Sequence, residues 1–366
     1  MEVYMKKTIK QVITWILLTL MVVAGGCSPE VSPRHLSPEG DNITISDCTG
    51  RQVTIPSNPQ RIACLCPEAA HILVMLGCGD RIVAVPNGVK RDVLLNEICP
   101  AVQKAAVPRT SGSINIEELN RVQADLVLLR SEAIQSSGEA HKLEVSQIPY
   151  LLIEYDNMEE QQDMIAMIAE AVGAKAKAQS YNQYYRQCVE RVQKQVGRIP
   201  AEARLRVYHS INEATRTDTR GTLGDQWLSA CGAINVSVNE KLKMVEGEHY
   251  ASLEQILLWN PDVILANDAN VISYIQSHPQ WAALEAVKNG QVYALPNGIS
   301  RWGHPSSMEI PLALLWTSKL LYPSFFEDID ILEEMRWFYE EFFGLQLSDD
   351  KLAQIISGKG MRDPKS

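Results

Sequence analysis

The sequence has no long run of lysine or arginine. Its 44 Asp and Glu outnumber 34 Lys and Arg, for a formal net charge of −10. Nucleic acid is therefore not an expected partner. Also missing are a Gly-x-Ser-x-Gly elbow, a P-loop and a His-Glu-x-x-His pair, and the Ser, His and Asp residues show no spacing that implies a triad. The commonest hydrolytic and nucleotide-dependent chemistries lack their machinery here. Beyond residue 26 no segment is apolar enough to cross a bilayer. Residues 174–196 contain neither Pro nor Gly, so nothing there interrupts a helix.

In that uninterrupted stretch, apolar side chains fall at Ala174, Ala178, Tyr181, Tyr185, Cys188, Val189, Val192 and Val196. The spacing predicts one helix with one apolar face, closed by Gly197 and Pro200. At 1.5 Å per residue it spans about 35 Å, the width of a small domain. The sequence on its two sides is alike. Ile116-Glu117-Glu118-Leu119 leads to Asp125 and the apolar run 126–129. Leu253-Glu254-Gln255-Ile256 leads to Asp262 and the run 263–266. Short apolar runs after turn signals read as buried parallel strands. Two α/β lobes of one plan, held on a single long helix, are expected.

At the N-terminus Lys6, Lys7 and Lys10 precede an apolar stretch, residues 12–24, and then Ala24-Gly25-Gly26-Cys27. This resembles the bacterial lipoprotein signal, which implies that Cys27 carries the lipid and starts the mature chain. Residues 27–42, with Pro29, Pro33 and Pro38, read as a flexible tether. The remaining seven cysteines are an odd number, so at least one thiol is unpaired. Cys188 and Cys231 fit buried apolar positions, and Cys64-Leu65-Cys66 is a weak soft-metal pattern.

Further on, Asp47-Cys48-Thr49-Gly50-Arg51 with Val53 and Ile55-Pro56, then Pro59-Gln60-Arg61-Ile62, then Leu76-Gly77-Cys78-Gly79-Asp80-Arg81-Ile82-Val83-Ala84-Val85, agree in order and spacing with a known group. From residue 43 to about 344 the chain resembles the substrate-binding proteins of ABC importers, in the branch that carries iron–siderophore complexes, haem and vitamin B12. The resemblance implies the class III periplasmic-binding-protein fold: two α/β lobes with central, mainly parallel sheets joined by one long rigid helix. The expected parts are a signal peptide (1–26), the tether (27–42), an N-terminal lobe (43–157), a helical region (158–198), a C-terminal lobe (199–347) and a tail with a small helix and a frayed polar end (348–366). The stiff helix implies only small closure on binding. By position Glu117 and Glu254 are the residues that would meet arginines of the permease, and both also suit a helix start.

Ligand chemistry is expected on loops after the strands, facing the cleft. On the first lobe these are 66–68, 86–91, 109–113, 130–132 and 154–156. On the second they are 212–221, 246–250, 267–268 and 296–305. The candidates are Arg109, Ser111, Arg130, Tyr155, Arg220, Tyr250, Arg301, Trp302 and His304. Arginine suits anionic, oxygen-rich chelates through its planar fork. Trp302 would add a flat apolar wall, and His304 a metal ligand. Arg109, Arg220 and Arg301 each also read as surface charges or ion-pair partners within a lobe. The expected cargo is a ferric chelate of the siderophore type, with no cofactor of the protein's own. Haem stays open through His304. A corrinoid is less favoured, because the first lobe's loops carry Asn87, Arg109 and Ser111 rather than aromatics. A nickel chelate is a further alternative. The expected partners are the permease dimer with its cytoplasmic ATPase and, through the lipid, the outer face of the cell membrane, with the protein a monomer. An α/β enzyme, the rival reading, would turn its ligand over; a binding protein returns it unchanged.

Overall fold

The computed structural model describes residues 41–110, 112–135 and 137–363. Cys27, the signal segment, the tether as far as residue 40 and Ser111 lie outside the described residues; Asn42, expected in the tether, begins the first strand.

A hairpin opens the fold, β1 (Asn42–Ser46) and β2 (Gln52–Pro56). Asp47 shapes its turn by accepting the N–H groups of Thr49 and Arg51, each at 3.0 Å. The N-terminal lobe follows with β3 (Ile62–Cys64) and β4 (Ile82–Ala84). A small hairpin, β5 (Arg109–Thr110) with β6 (Ser113–Ile114), precedes β7 (Leu126–Leu129) and β8 (Tyr150–Leu152). Four of these form a parallel sheet in the order β4-β3-β7-β8. The C-terminal lobe has β9 (Arg206–Ser210) and β10 (Ile234–Asn235), a small hairpin of β11 (Lys243–Val245) and β12 (Glu248–Tyr250), then β13 (Val263–Ala266) and β14 (Val292–Ala294). Its sheet is parallel in the order β10-β9-β13-β14. Counted within each lobe, both sheets run 2-1-3-4, and in both a hairpin leads into a short helix before the third strand.

The repeated aspartates have a shared physical cause. Asp125 accepts the N–H groups of Gln60 and Arg61 at 2.8 and 3.0 Å, and Asp262 accepts that of Arg206 at 2.7 Å. Each ties the start of the third strand of its lobe to the first. Just before each aspartate, a short helix closes through a left-handed residue, Gln123 (φ 51°) and Asn260 (φ 40°).

The long helix is Lys175–Val196. Ala178, Tyr181, Tyr185, Cys188, Val192 and Val196 are buried on one face, as the periodicity predicts; Val189 is half-buried. Gly197 ends the helix at φ −61° rather than in the left-handed region, so Pro200 is the harder stop. One continuous core contains Leu73 and Leu128 of the N-terminal lobe, Tyr181 and Val192 of this helix, and Val207 and Leu265 of the C-terminal lobe. A shared core resists a wide hinge, because opening would expose apolar surface at about 25 cal/mol per Å².

The helix Ile310–Leu321 is buried nearly all round. One region differs from expectation. The chain after 347 does not fray within the described residues. The helix Asp349–Ser357 packs with Leu352 and Ile355 inward, Met361 is fully buried, and residues 361–363 pair with the N-terminal lobe. A polar, aperiodic composition looks the same whether a tail hangs free or docks through its backbone. Of the aromatic run near the end, Phe338, Tyr339, Phe342 and Phe343 are core, but Trp337 is 47% exposed and lies against Tyr184. No helix among the described residues is long and apolar enough to cross a membrane.

Candidate functional site

Parallel strands leave their loops at the C-terminal edge of a sheet, and the edges of both sheets here face one another. The loop after β14 is the centre of that meeting. It is shaped by Glu309, which is fully buried and has no cationic partner among the described residues. Its carboxylate accepts the N–H groups of Ile299 and Ser300 at 2.7 and 2.9 Å and the Tyr339 hydroxyl at 2.7 Å. Burial raises its pKa, and these donors offset part of that. A side chain at Gly298 would collide with the Tyr339 hydroxyl and Glu309. Gly303 sits at φ +73° against the Trp227 ring, so both positions need glycine.

Held on this loop are Arg301 and His304. Arg301 is half-buried, and no carboxylate lies within ion-pair distance of it among the described residues. Burial pushes its pKa down to about 10; Asp268 opposes this, and Arg91 and Arg216 reinforce it. His304 Nδ1 accepts the Ser306 N–H at 3.2 Å and lies 2.8 Å from the Ser306 hydroxyl. Its Nε2 is 3.5 Å from Asn212 Nδ2. Burial, then the charges of Arg301, Arg216 and Arg130, hold this ring well below the usual histidine range and keep it neutral.

The N-terminal lobe meets this loop with one paired cation, Arg130, and one unpaired cation, Arg91. Arg130 forms an ion pair with Glu68, which is 1% exposed, and its guanidinium lies 5.0 Å from the centre of the Tyr155 ring. Tyr155 donates to the Pro305 carbonyl at 2.7 Å. It is therefore a strut between the lobes rather than an open contact. His71 is buried with Nε2 3.2 Å from Asp92, and burial lowers its pKa. Arg91 has no ion-pair partner among the described residues. Where the loop containing Arg91, the ends of β13 and β14, and residues 358–363 come together, they enclose a cavity of about 400 Å³, lined also by Asn267, Asn297, Arg301 and Arg362.

Of the other predicted residues, Arg109 lies half-buried on β5, its Nε–H without an acceptor. Arg220 is exposed on the loop before the helix Leu223–Ala230. Tyr250 sits on β12 with its hydroxyl 3.3 Å from Glu213. Trp302 is fully buried in the core and offers no wall to the cleft; a loop position in the sequence does not say which way an aromatic ring turns. No group of three or more His, Cys, Asp or Glu is gathered around His304, or elsewhere among the described residues, for a metal ion. Cys64 and Cys66 are likewise buried thiols with raised pKa values, burial being the main cause. Sequence reading passed over Asn212, Asn267, Arg91, Arg216 and Arg362. Asn212, Asn267, Arg91 and Arg216 all stood on the expected loops without being singled out; Arg362 carried no signal. Glu117 and Glu254 are both exposed in the first turn of short helices capped by Asn115 and Ser252.

A family model described as periplasmic binding protein matches residues 62–298. The molybdate-binding protein MolA of Haemophilus influenzae is 26% identical over 360 residues, covering 88% of this chain and 97% of its own. Its structure with molybdate superimposes with a TM-score of 0.75, at 24% identity, over 84% of this chain and 99% of that one. An uncharacterized ABC transporter substrate-binding lipoprotein of Bacillus subtilis, YvrC, is 25% identical over 296 residues, covering 79% of this chain and 90% of its own. The Fe(3+)-citrate-binding protein YfmC of the same organism is 22% identical over 306 residues, covering 80% and 90%. Twin 2-1-3-4 sheets on one long helix, with the cleft at their facing edges, agree with the family match: this chain belongs to the periplasmic binding protein family, the extracytoplasmic solute-binding proteins of ABC importers.

Proposed function

We propose that this protein is a lipid-anchored receptor that captures a compact, multiply charged anion between its lobes and delivers it to an ABC permease, with a tetrahedral oxyanion of the molybdate type as first cargo. The single observation that carries the reading is Arg301, half-buried at the centre of the cleft with no carboxylate partner among the described residues. A buried charge without a partner is costly, and an anionic ligand removes that cost on binding. The space of about 400 Å³ lies at the small end of ligand sites, which favours a compact cargo over haem or a corrinoid. MolA, named for molybdate, supports the same choice. The ferric chelate expected from the sequence is the second reading in a compact form such as ferric citrate, whose carboxylates also suit arginine forks; YfmC supports it. Anchoring through Cys27 has support from the signal pattern and from YvrC.

Native mass spectrometry and titration calorimetry of the full chain against molybdate, tungstate, sulfate, phosphate, ferric citrate, haem and cobalamin test this. Tight binding of an oxyanion is expected. Binding of haem or cobalamin with none of the anions bound would overturn it.

A further inference from the structure

The last described residues cross from one lobe to the other. From the helix Asp349–Ser357 on the C-terminal lobe, where Asn297 N–H donates to the Ile355 carbonyl, the chain runs over the cavity to the N-terminal lobe. There Val93 N–H donates to the Met361 carbonyl at 3.1 Å and Asp363 N–H to the Arg91 carbonyl at 2.8 Å. Arg362 forms an ion pair with Asp92, which is 3% exposed, and donates from Nη2 to the Gly88 carbonyl at 2.9 Å. Asp92 is held in turn by His71. The strap is thus built in, and its arginine is fixed from two sides.

We infer that this C-terminal strap is a wall of the cargo site, and that Arg362 and Arg91 form a second anion-binding point facing Arg301, which selects dianions over monoanions. The inference rests on the anionic-cargo reading. Three guanidiniums line one cavity: Arg91 from the N-terminal lobe, Arg301 from the C-terminal lobe and Arg362 from the strap. Asp92 balances one of them. Asp268 also lines the cavity, but it caps the helix Ala269–Ser277, accepting the Asn270 N–H at 2.9 Å, and is not in ion-pair contact with Arg301. Asp363 is exposed. Among the described residues Arg91 and Arg301 are left unpaired, and the Nε–H groups of Arg91 and Arg362 are buried without acceptors. Two unpaired cations on opposite walls match a ligand of charge −2 better than one of −1, because a monoanion leaves one of them buried and uncompensated.

Tungstate and perrhenate are tetrahedral oxyanions of nearly equal size and different charge, so they read charge alone. Calorimetry on the full chain is expected to show tungstate bound more tightly than perrhenate. Arg362→Gln and Arg91→Gln should each weaken tungstate about tenfold or more, the scale of one charge-assisted hydrogen bond, with little effect on perrhenate. Arg91→Gln leaves no carboxylate stranded, so it guards against a folding defect in Arg362→Gln. Crystals grown with tungstate should place the anomalous tungsten peak within hydrogen-bonding reach of Arg91 and Arg362. If tungstate binds and Arg301→Gln abolishes it, while both other variants stay within twofold, the strap has no part in the site and the anionic-cargo reading survives. A tungsten peak away from the strap would likewise remove the strap from the site. If the unaltered chain binds no oxyanion and no ferric citrate, the cargo reading itself fails, and this inference with it.

Discussion

The N-terminal lobe brings to the cleft Arg130, already neutralised by Glu68, and Tyr155, already donating to Pro305. The C-terminal lobe brings Arg301, with no carboxylate in contact among the described residues, beside a neutral His304. The strand order of the two lobes is the same, so topology does not set this difference; side-chain pairing does. Arg130, satisfied internally, builds the protein, whereas Arg301, unpaired like Arg91, waits for a ligand. Substitution should separate the two roles. Arg130→Met strands the Glu68 carboxylate, which is 1% exposed. Breaking such a pair typically costs about 3 kcal/mol or somewhat more. Urea unfolding should show that loss, and an unchanged midpoint would place Arg130 among the ligand contacts instead.

Arg301→Gln should do the reverse. Affinity for the anion should fall roughly 30-fold, about 2 kcal/mol, as a charge-assisted contact is lost. The unfolding midpoint should hold or rise, because the change removes a half-buried charge that has no partner in the free protein. Calorimetry and urea titration on the same sample check both halves. A loss of stability together with affinity would mean that Arg301 is structural, and the contrast between the lobes would be gone.

The architecture was legible because repetition in a sequence has few physical causes. Glu117 with Asp125 and Glu254 with Asp262 recur because each aspartate must catch the N–H of its lobe's first strand. The long helix was legible because a 3.6-residue period without Pro or Gly permits little else. The site was legible only as a set of loops. Nothing in the order of residues shows that Trp302 turns into the core or that Arg130 is consumed by Glu68, a residue 62 positions away. Least visible was Arg362, in a tail whose composition is that of a disordered end and whose docking depends on backbone pairing with residues 91–93.

Each lobe also carries near the cleft a histidine whose pKa is lowered mainly by desolvation, the buried His71 and the half-buried His304. The unfolded chain takes up these protons near pH 6.5 while the folded protein stays neutral to lower pH. Stability is therefore fully present above that pH and falls as pH drops through it, by up to about 1.4 kcal/mol per pH unit for each histidine. Glu309 acts in the opposite direction. Its raised pKa means that the folded state binds a proton before the unfolded one, so its contribution rises as pH falls. Between pH 7 and 5.5 the unfolding free energy should fall as the unfolded chain takes up the protons that these two rings refuse when folded. His71→Gln and His304→Gln should each flatten the curve. If only one does, the two lobes differ here as they do in their arginines.

The smallest expected effect concerns a second pair of charges that the lobes share. Glu117 and Glu254 are exposed, occupy matching first-turn positions, and sit on helices capped by Asn115 and Ser252. A first-turn carboxylate contributes about 0.3–1 kcal/mol through the helix dipole, less at high salt. Glu117→Gln and Glu254→Gln should therefore leave the unfolding midpoint nearly unchanged and ligand affinity unchanged. If the two carboxylates also dock on a two-fold permease, charge reversal should lower ligand-stimulated ATPase activity of the reconstituted importer, and reversal of both should lower it more than either alone. Rim charges act mainly on association rate, so the defect should shrink as receptor concentration rises. An ATPase response that matches the unaltered protein at every concentration would leave the two glutamates with their helix-capping role alone.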